Sequence, residues 1–349
     1  MSYEIKNRVL ALGRKSRLSE MDHTLRSEKI NWMECRHPSG DTLLHIAAQS
    51  GNVSLMRHLL EHLNSEPKWV DVTNLAGKTP LHEACQNSQP EAVSFLISKG
   101  ANVRAIKQAD WTPLMLACTK TGKNSLSCCR LLLEKGGPVL VADKNKDGWN
   151  ALHIAAREGD TSIVKELLQF DPSSMQATEK SKNGRTPLHT AALHGCHHVV
   201  EELLALNSID CNVQDSCGAT PLHDAVRSGD LKTLTALARS GADLNAYNNE
   251  GYGILHMAAQ TGQVAMLKYL LEEVCLNIKI DLNMKTTPLH CAVRAGQTEA
   301  VVELLEKGAD PKSLDFWGRS CYDIIPEKNV SDIKSMLDKA VTRIDFEEA

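Results

Sequence analysis

Aromatic side chains are scarce in this 349-residue chain: five Trp, five Tyr and four Phe, 4% of the total. Neither sign of charge dominates. Thirty-nine Lys and Arg face 43 Asp and Glu, a formal charge of −4, which gives no general reason to expect nucleic acid or an anionic membrane as partner. No apolar run approaches the roughly 20 residues that cross a bilayer, and Met1 to Leu18 mixes charges with short apolar pieces, unlike a signal peptide. The eleven cysteines are odd in number and include no C-x-x-C pair, which speaks against a disulfide framework or a zinc ribbon. There is no G-x-S-x-G, no H-E-x-x-H and no paired-carboxylate motif, and Gly122-Lys123 lacks the spacing of a P-loop. The expectation is a cytoplasmic protein, with the nucleus as a further location, and no enzyme, cofactor or metal site.

What is present is self-similarity. The string T-P-L-H, or a close variant, ends at His45, His82, Met115, His153, His189, His223, His256 and His290. Successive fourth positions lie 37, 33, 38, 36, 34, 33 and 34 residues apart. Each piece of the unit has a mechanical reason. Thr caps a helix, and Pro follows at the first helical position, where its missing donor costs nothing. Leu188, Ala191 and Ala192 then point inward, and glycines such as Gly159, Gly195 and Gly296 permit a tight turn. The second helix carries one apolar face, as in Ile163, Val164, Leu167 and Leu168. No unit can bury that face alone, so neighbours must stack.

This period and motif resemble the ankyrin repeat, and the resemblance covers nearly the whole chain. It implies an all-α solenoid of about nine helix-turn-helix units with β-turn fingers and atypical caps. The expected division is N-terminal capping helices over 1–37, eight repeats over 38–315, a C-terminal capping repeat over 316–341 and an unstructured acidic tail over 342–349. Loop insertions are expected at Thr121 to Ser125 and at Asp171 to Lys182.

Seven of the fourteen histidines occupy the repeat position, where ankyrin structures use the imidazole to bond backbone. His194, Cys196, His197 and His198 crowd one turn, but no fourth ligand follows at zinc spacing. The column just before the cap reads as functional: Asp41, Lys78, Trp111, Trp149, Arg185, Ala219, Tyr252, Thr286 and Arg319. It lies where finger meets first helix, on the concave side implied by the fold. Lys78, Trp111, Trp149 and Arg185 are consecutive and are expected to form one exposed stripe for a protein partner, since Trp and Arg anchor interfaces. The competing reading is that each Trp packs on its own finger.

Several stretches go beyond the generic unit: Gly40 to His45, Lys107 to Met115, Lys144 to Ala155, Arg157 to Asp160 and Arg185 to Ala192. They are similar to ankyrin proteins that bind the catalytic domain of alanyl-tRNA synthetase and take wrongly activated serine onto lysine side chains. The resemblance implies that synthetase as partner, a role against mistranslation, and a monomer that acts as a stoichiometric acceptor. Of the three acceptor positions, Lys146 matches one. A second falls on Gln108, with Lys107 one place earlier, and the third falls near Ala177, with Lys180 nearby but not aligned. A generic ankyrin adaptor for some other partner is the alternative.

Overall fold

The computed structural model describes residues 2–62, 67–170, 175–272 and 286–347. The chain divides into two compact units, Met1–Lys182 and Asn183–Ala349, and each is treated by itself.

The first unit opens with α1 (Ser2–Arg14) and α2 (Leu18–Ser27). Four helical pairs follow. They are α3 (Leu43–Gln49) with α4 (Val53–Arg57), α5 (Pro80–Gln86) with α6 (Pro90–Ser98), α7 (Pro113–Ala117) with α8 (Lys123–Gly136), and, after the short α9 (Val139–Ala142), α10 (Ala151–Glu158) with α11 (Thr161–Gln169). One helical turn, α12 (Met175–Thr178), ends the unit. The second unit holds α13 (Pro187–Leu193) with α14 (His197–Leu204), α15 (Pro221–Ser228) with α16 (Leu231–Arg239), and α17 (Ile254–Thr261) with α18 (Val264–Glu272). Then come α19 (Pro288–Ala295) with α20 (Thr298–Glu306), and a closing helix α21 (Val330–Glu347). First helices pack on first helices of the next pair, and the core is small and aliphatic: Leu81, Ala84, Leu114, Ala117, Leu152 and Ala155 are at most 1% exposed.

The T-P-L-H chemistry explains why the pairs repeat in register. In α5 the imidazole Nδ1 of His82 accepts the Thr79 backbone N–H at 3.1 Å, and the Thr79 hydroxyl oxygen accepts the His82 N–H at 3.4 Å. Nδ1 is therefore the unprotonated nitrogen, and Nε2–H donates to the Trp111 carbonyl at 3.1 Å, 29 residues on. The same outward bond runs from His45 to Lys78, His189 to Ala219, His223 to Tyr252, His256 to Thr286 and His290 to Arg319, over 2.8 to 3.2 Å. Each neutral histidine caps its own helix and fastens the next repeat. Burial drives the pKa values of His45, His82, His223 and His290 down, that of His82 to about 4.

The fingers form a second ladder. Leu75 N–H donates to Ser39 O, Gln108 to Ala76, Lys146 to Ala109 and Lys182 to Asp147 in the first unit, and Ser216 to Asn183 and Asn249 to Cys217 in the second. The donor position of the first finger is Pro38, which has no N–H, so the ladder starts there.

Three expectations change. Lys123 to Ser125 are not slack loop but the first turn of α8, because Ser125 is fully buried and bonds Ser88. Of the Asp171 to Lys182 connection, residues 171–174 lie outside the described residues, and the rest includes α12 with Ala177 buried. The C-terminal segment continues as α21 to Glu347 instead of fraying at 342, since Ile333, Leu337 and Ala340 repeat on one buried face.

Candidate functional site

The pre-cap column is built by the histidine bonds: six imidazoles each hold the carbonyl of one column residue in the following repeat. Lys78 and Trp111 are fastened in this way by His45 and His82. Trp149 is not, because Met115 stands where the histidine would be; its carbonyl receives the Asn145 N–H at 2.9 Å.

The structure does not present Lys78, Trp111, Trp149 and Arg185 as one exposed stripe. Lys78 and Arg185 are tied down. The Lys78 side chain is 20% exposed, with its Nζ 3.0 Å from the Glu83 carboxylate and 2.5 Å from Gln86 Oε1. Arg185, in the second unit, is 17% exposed and paired with Asp224 at 2.5 Å and Asp215 at 3.4 Å. Asp224 is fully buried, and burial raises its carboxyl to about 6 against the opposing pull of Arg185. Both cations therefore compensate carboxylates of the fold. Trp111 and Trp149 are half-buried. Each carries a cation on its ring, Lys107 at 5.3 Å over Trp111 and Arg157 at 5.8 Å over Trp149, and Trp149 also stacks on His153 at 5.8 Å. At Trp111 this leaves apolar surface and positive charge side by side, whereas Arg157 is itself paired with Glu158 at 2.6 Å.

The finger that bears Trp111 is built differently from the others. In five other fingers the first residue is Asn74, Asn145, Asp215, Asn248 or Asp315, whose Oδ1 accepts the N–H groups two and four residues on, all at 2.8 to 3.0 Å, and two more begin with His37 and Ser181. Here that residue is Lys107. The turn glycine, seen as Gly77, Gly148 and Gly218, is replaced by Asp110 at φ 60°, and Ala109 beside it lies at φ 64°. Two consecutive left-handed residues without glycine cost on the order of 1–2 kcal/mol each, somewhat less for Asp. Lys107 is half-buried, and burial, with Lys78 close by, lowers its ammonium pKa.

The acceptor positions fall apart. Lys146 is exposed on the next finger, tied to Ala109 through its backbone, whereas Lys107 lies over Trp111. Gln108 bonds the Leu75 carbonyl at 3.2 Å, and Ala177 is fully buried, a place that could not take a lysine ammonium. Lys180 is exposed. His197 and His198 begin α14, their rings 3.9 Å apart, and no group of three possible metal ligands occurs among the described residues.

One surface was missed in the sequence reading. Leu314, Phe316 and Trp317 are 55%, 61% and 62% exposed on the last finger, with Arg319 at 4.6 Å over the Trp317 ring. The signal was there: Asp315-Phe-Trp-Gly318 puts two aromatics where other fingers carry mostly small or polar residues.

Repeated cap, tight turn and finger define the class of protein, and comparison with known sequences agrees. The family model for ankyrin repeats (3 copies) matches residues 19–107, 102–176, 171–248 and 222–315. The chain belongs to the ankyrin repeat family. It is 32% identical over 258 residues to the mouse B-cell lymphoma 3 protein homolog, 73% of this chain and 49% of that protein, and 31% identical over 230 residues to the human B-cell lymphoma 3 protein, 65% and 49%. It is also 29% identical over 245 residues to human transient receptor potential cation channel subfamily A member 1, 69% and 18%. The chain thus spans about half the length of the B-cell lymphoma 3 proteins. Ankyrin repeats are protein-interaction modules, and among the described residues no helix is long and apolar enough to cross a membrane.

Proposed function

We propose that this protein binds the catalytic domain of alanyl-tRNA synthetase and thereby guards against serine mischarging, acting by association and not by turnover. The support is the similarity of Lys107 to Met115, Lys144 to Ala155 and Arg185 to Ala192 to ankyrin repeat domain-containing protein 16. The observation that carries the choice of surface is the pair of half-buried tryptophans in adjacent repeats, each under a cation. Large rigid rings with a polar rim are the typical anchors of an interface.

Capture of serine on lysine would need an unprotonated ε-amine close to the activated acyl group. Lys146 aligns with an acceptor position and is exposed on its fingertip, and Lys107, whose ammonium pKa is lowered by burial, is the second candidate. The direct test is recovery of the synthetase by wild type and by the Trp111→Ala/Trp149→Ala chain, with circular dichroism to establish that the variant folds. Recovery should fall at least tenfold. Equal recovery by the folded variant removes this face from the account. Intact-mass measurement after incubation with synthetase, serine and ATP should show added seryl mass that disappears in Lys146→Arg/Lys107→Arg; no added mass ends the capture chemistry and leaves binding untouched.

The second reading is an adaptor for a different protein, favoured by the similarity to the B-cell lymphoma 3 proteins over 73% and 65% of this chain. An unbiased partner screen that repeatedly returns another protein and never the synthetase would establish it.

A further inference from the structure

The finger at Lys107 departs from its siblings in three ways at once. It gives up the Asn or Asp that caps the turn in five other fingers, it gives up the turn glycine, and it holds Ala109 and Asp110 in left-handed backbone. The backbone bonds are those of its siblings: Asp110 N–H donates to Lys107 O, and Ala109 O accepts the Lys146 N–H. Ala109 and Asp110 are half-buried surface residues, and Gly77 and Gly148 in the neighbouring fingers keep the ordinary turn. The strain instead delivers an ammonium onto the face of Trp111.

The surrounding charges make that ammonium different from three cations nearby. Lys78 is matched by Glu83, Arg104 by Asp143 and Lys144 by Glu179. Lys107 forms no ion pair among the described residues; its contact is the Trp111 ring, and the repulsion from Lys78 is only partly offset by Glu83, which is itself paired with Lys78. A partly desolvated cation held beside a second one, with an aromatic wall, is an arrangement short of one negative charge.

We propose that Lys107 and Trp111 form a receptor for a single carboxylate of a protein partner, an Asp or Glu side chain seated on the Lys107 ammonium with its methylene stem against the indole, and that the strained finger is retained to present it. This deepens the protein-binding reading above and rests on it. A protein carboxylate fits better than nucleic acid, because the chain carries a formal charge of −4 and the nearby cations Lys78, Arg104 and Lys144 are already paired with carboxylates. The site differs in kind from an acceptor of acyl groups, since it needs the lysine charged.

The decisive substitution is Lys107→Asn in the full chain, which removes the charge and returns the residue used by Asn74 and Asn145. Two probes are used, blocked hexaglutamate and the catalytic domain of alanyl-tRNA synthetase, each with the indole N–H signal of Trp111 as local reporter. The expected result is that Lys107→Asn raises the thermal midpoint by a few degrees while weakening both probes at least tenfold, and that Lys107→Arg keeps most of the binding. A lower midpoint in Lys107→Asn would show the lysine to be structural and overturn the proposal, as would unchanged affinity for both probes. If the synthetase binds wild type and Lys107→Asn equally, this site fails and the synthetase reading stands. If hexaglutamate binds through Lys107 and the synthetase does not bind at all, the receptor stands and the synthetase reading fails. Tighter binding of a ten-residue oligothymidylate than of hexaglutamate would also overturn it.

Discussion

At the scale of single residues, the histidines do the work that a sequence reader is tempted to give to catalysis. His82 donates from Nε2 and accepts at Nδ1, so only the neutral ring satisfies both bonds. Its pKa is about 4 in the fold against 6.5 unperturbed, so the unfolded chain binds more protons between those values. Stability is then full above pH 6.5 and falls as pH drops towards 4, by roughly 3 kcal/mol from His82 alone. His45, His223 and His290 act in the same direction. Asp224 opposes them: its raised pKa means that protonation from about pH 6 downward favours the fold. Urea unfolding at pH 7.5 and pH 4.5 should show a net loss at the lower pH, and His82→Gln should flatten that dependence. Arg185 offers a second residue-scale test. Arg185→Ala leaves the fully buried Asp224 only the more distant Arg227 at 3.9 Å and should cost about 2–4 kcal/mol, whereas adding Asp224→Asn should recover part of it by removing the buried charge. An Arg185→Ala cost below about 0.5 kcal/mol, measured by the same unfolding, would mean that the pair contributes little.

At the scale of elements, the finger turn sets what each repeat can present. Gly148 sits at φ 79°, and a Cβ there would lie 2.9 Å from the Lys182 backbone nitrogen, on the ladder bond from Lys182 N–H to Asp147 O. Gly148→Ala should therefore destabilise by about 1–3 kcal/mol. Asp110 holds the equivalent position without glycine, so Asp110→Gly should stabilise by roughly 1 kcal/mol. Thermal melts of the two variants should move in opposite directions; a fall for Asp110→Gly would mean that its side chain contributes more than the backbone strain costs. The cap motif made the first helices legible, because Thr, Pro and a fixed histidine at the fourth place are local chemistry. The unusual finger at Lys107 was not legible as such, since a missing Asx cap shows only when the hydrogen bonds of the other fingers are known.

At the scale of the whole molecule, each helical pair relies on a neighbour to cover its apolar face, so terminal elements matter more than their length suggests. In the second unit, α21 places Ile333 and Leu337 in the core beside α20, and Arg343 donates to the Leu305 carbonyl at 2.8 Å. Deleting residues 330–349 should expose the outer side of α20, lower the thermal midpoint by several degrees and speed amide exchange across residues 298–306. Unchanged exchange there would show that α21 is dispensable.

The amino-acid order by itself determined the repeat, its period and its family, because caps, prolines, turn glycines and aliphatic spacing act within a few residues of one another. It also placed Trp111 and Trp149 at one equivalent position. Which column residues are free to meet a partner was decided only in three dimensions. Lys78 and Arg185 look like interface cations in the sequence, but folding brings Glu83 and Asp224 against them. Lys107 looks like one lysine among many, and folding sets it on an indole with no ion-pair partner among the described residues. Charge compensation depends on neighbours that sequence distance does not reveal, so that part of the site had to come from the tertiary structure.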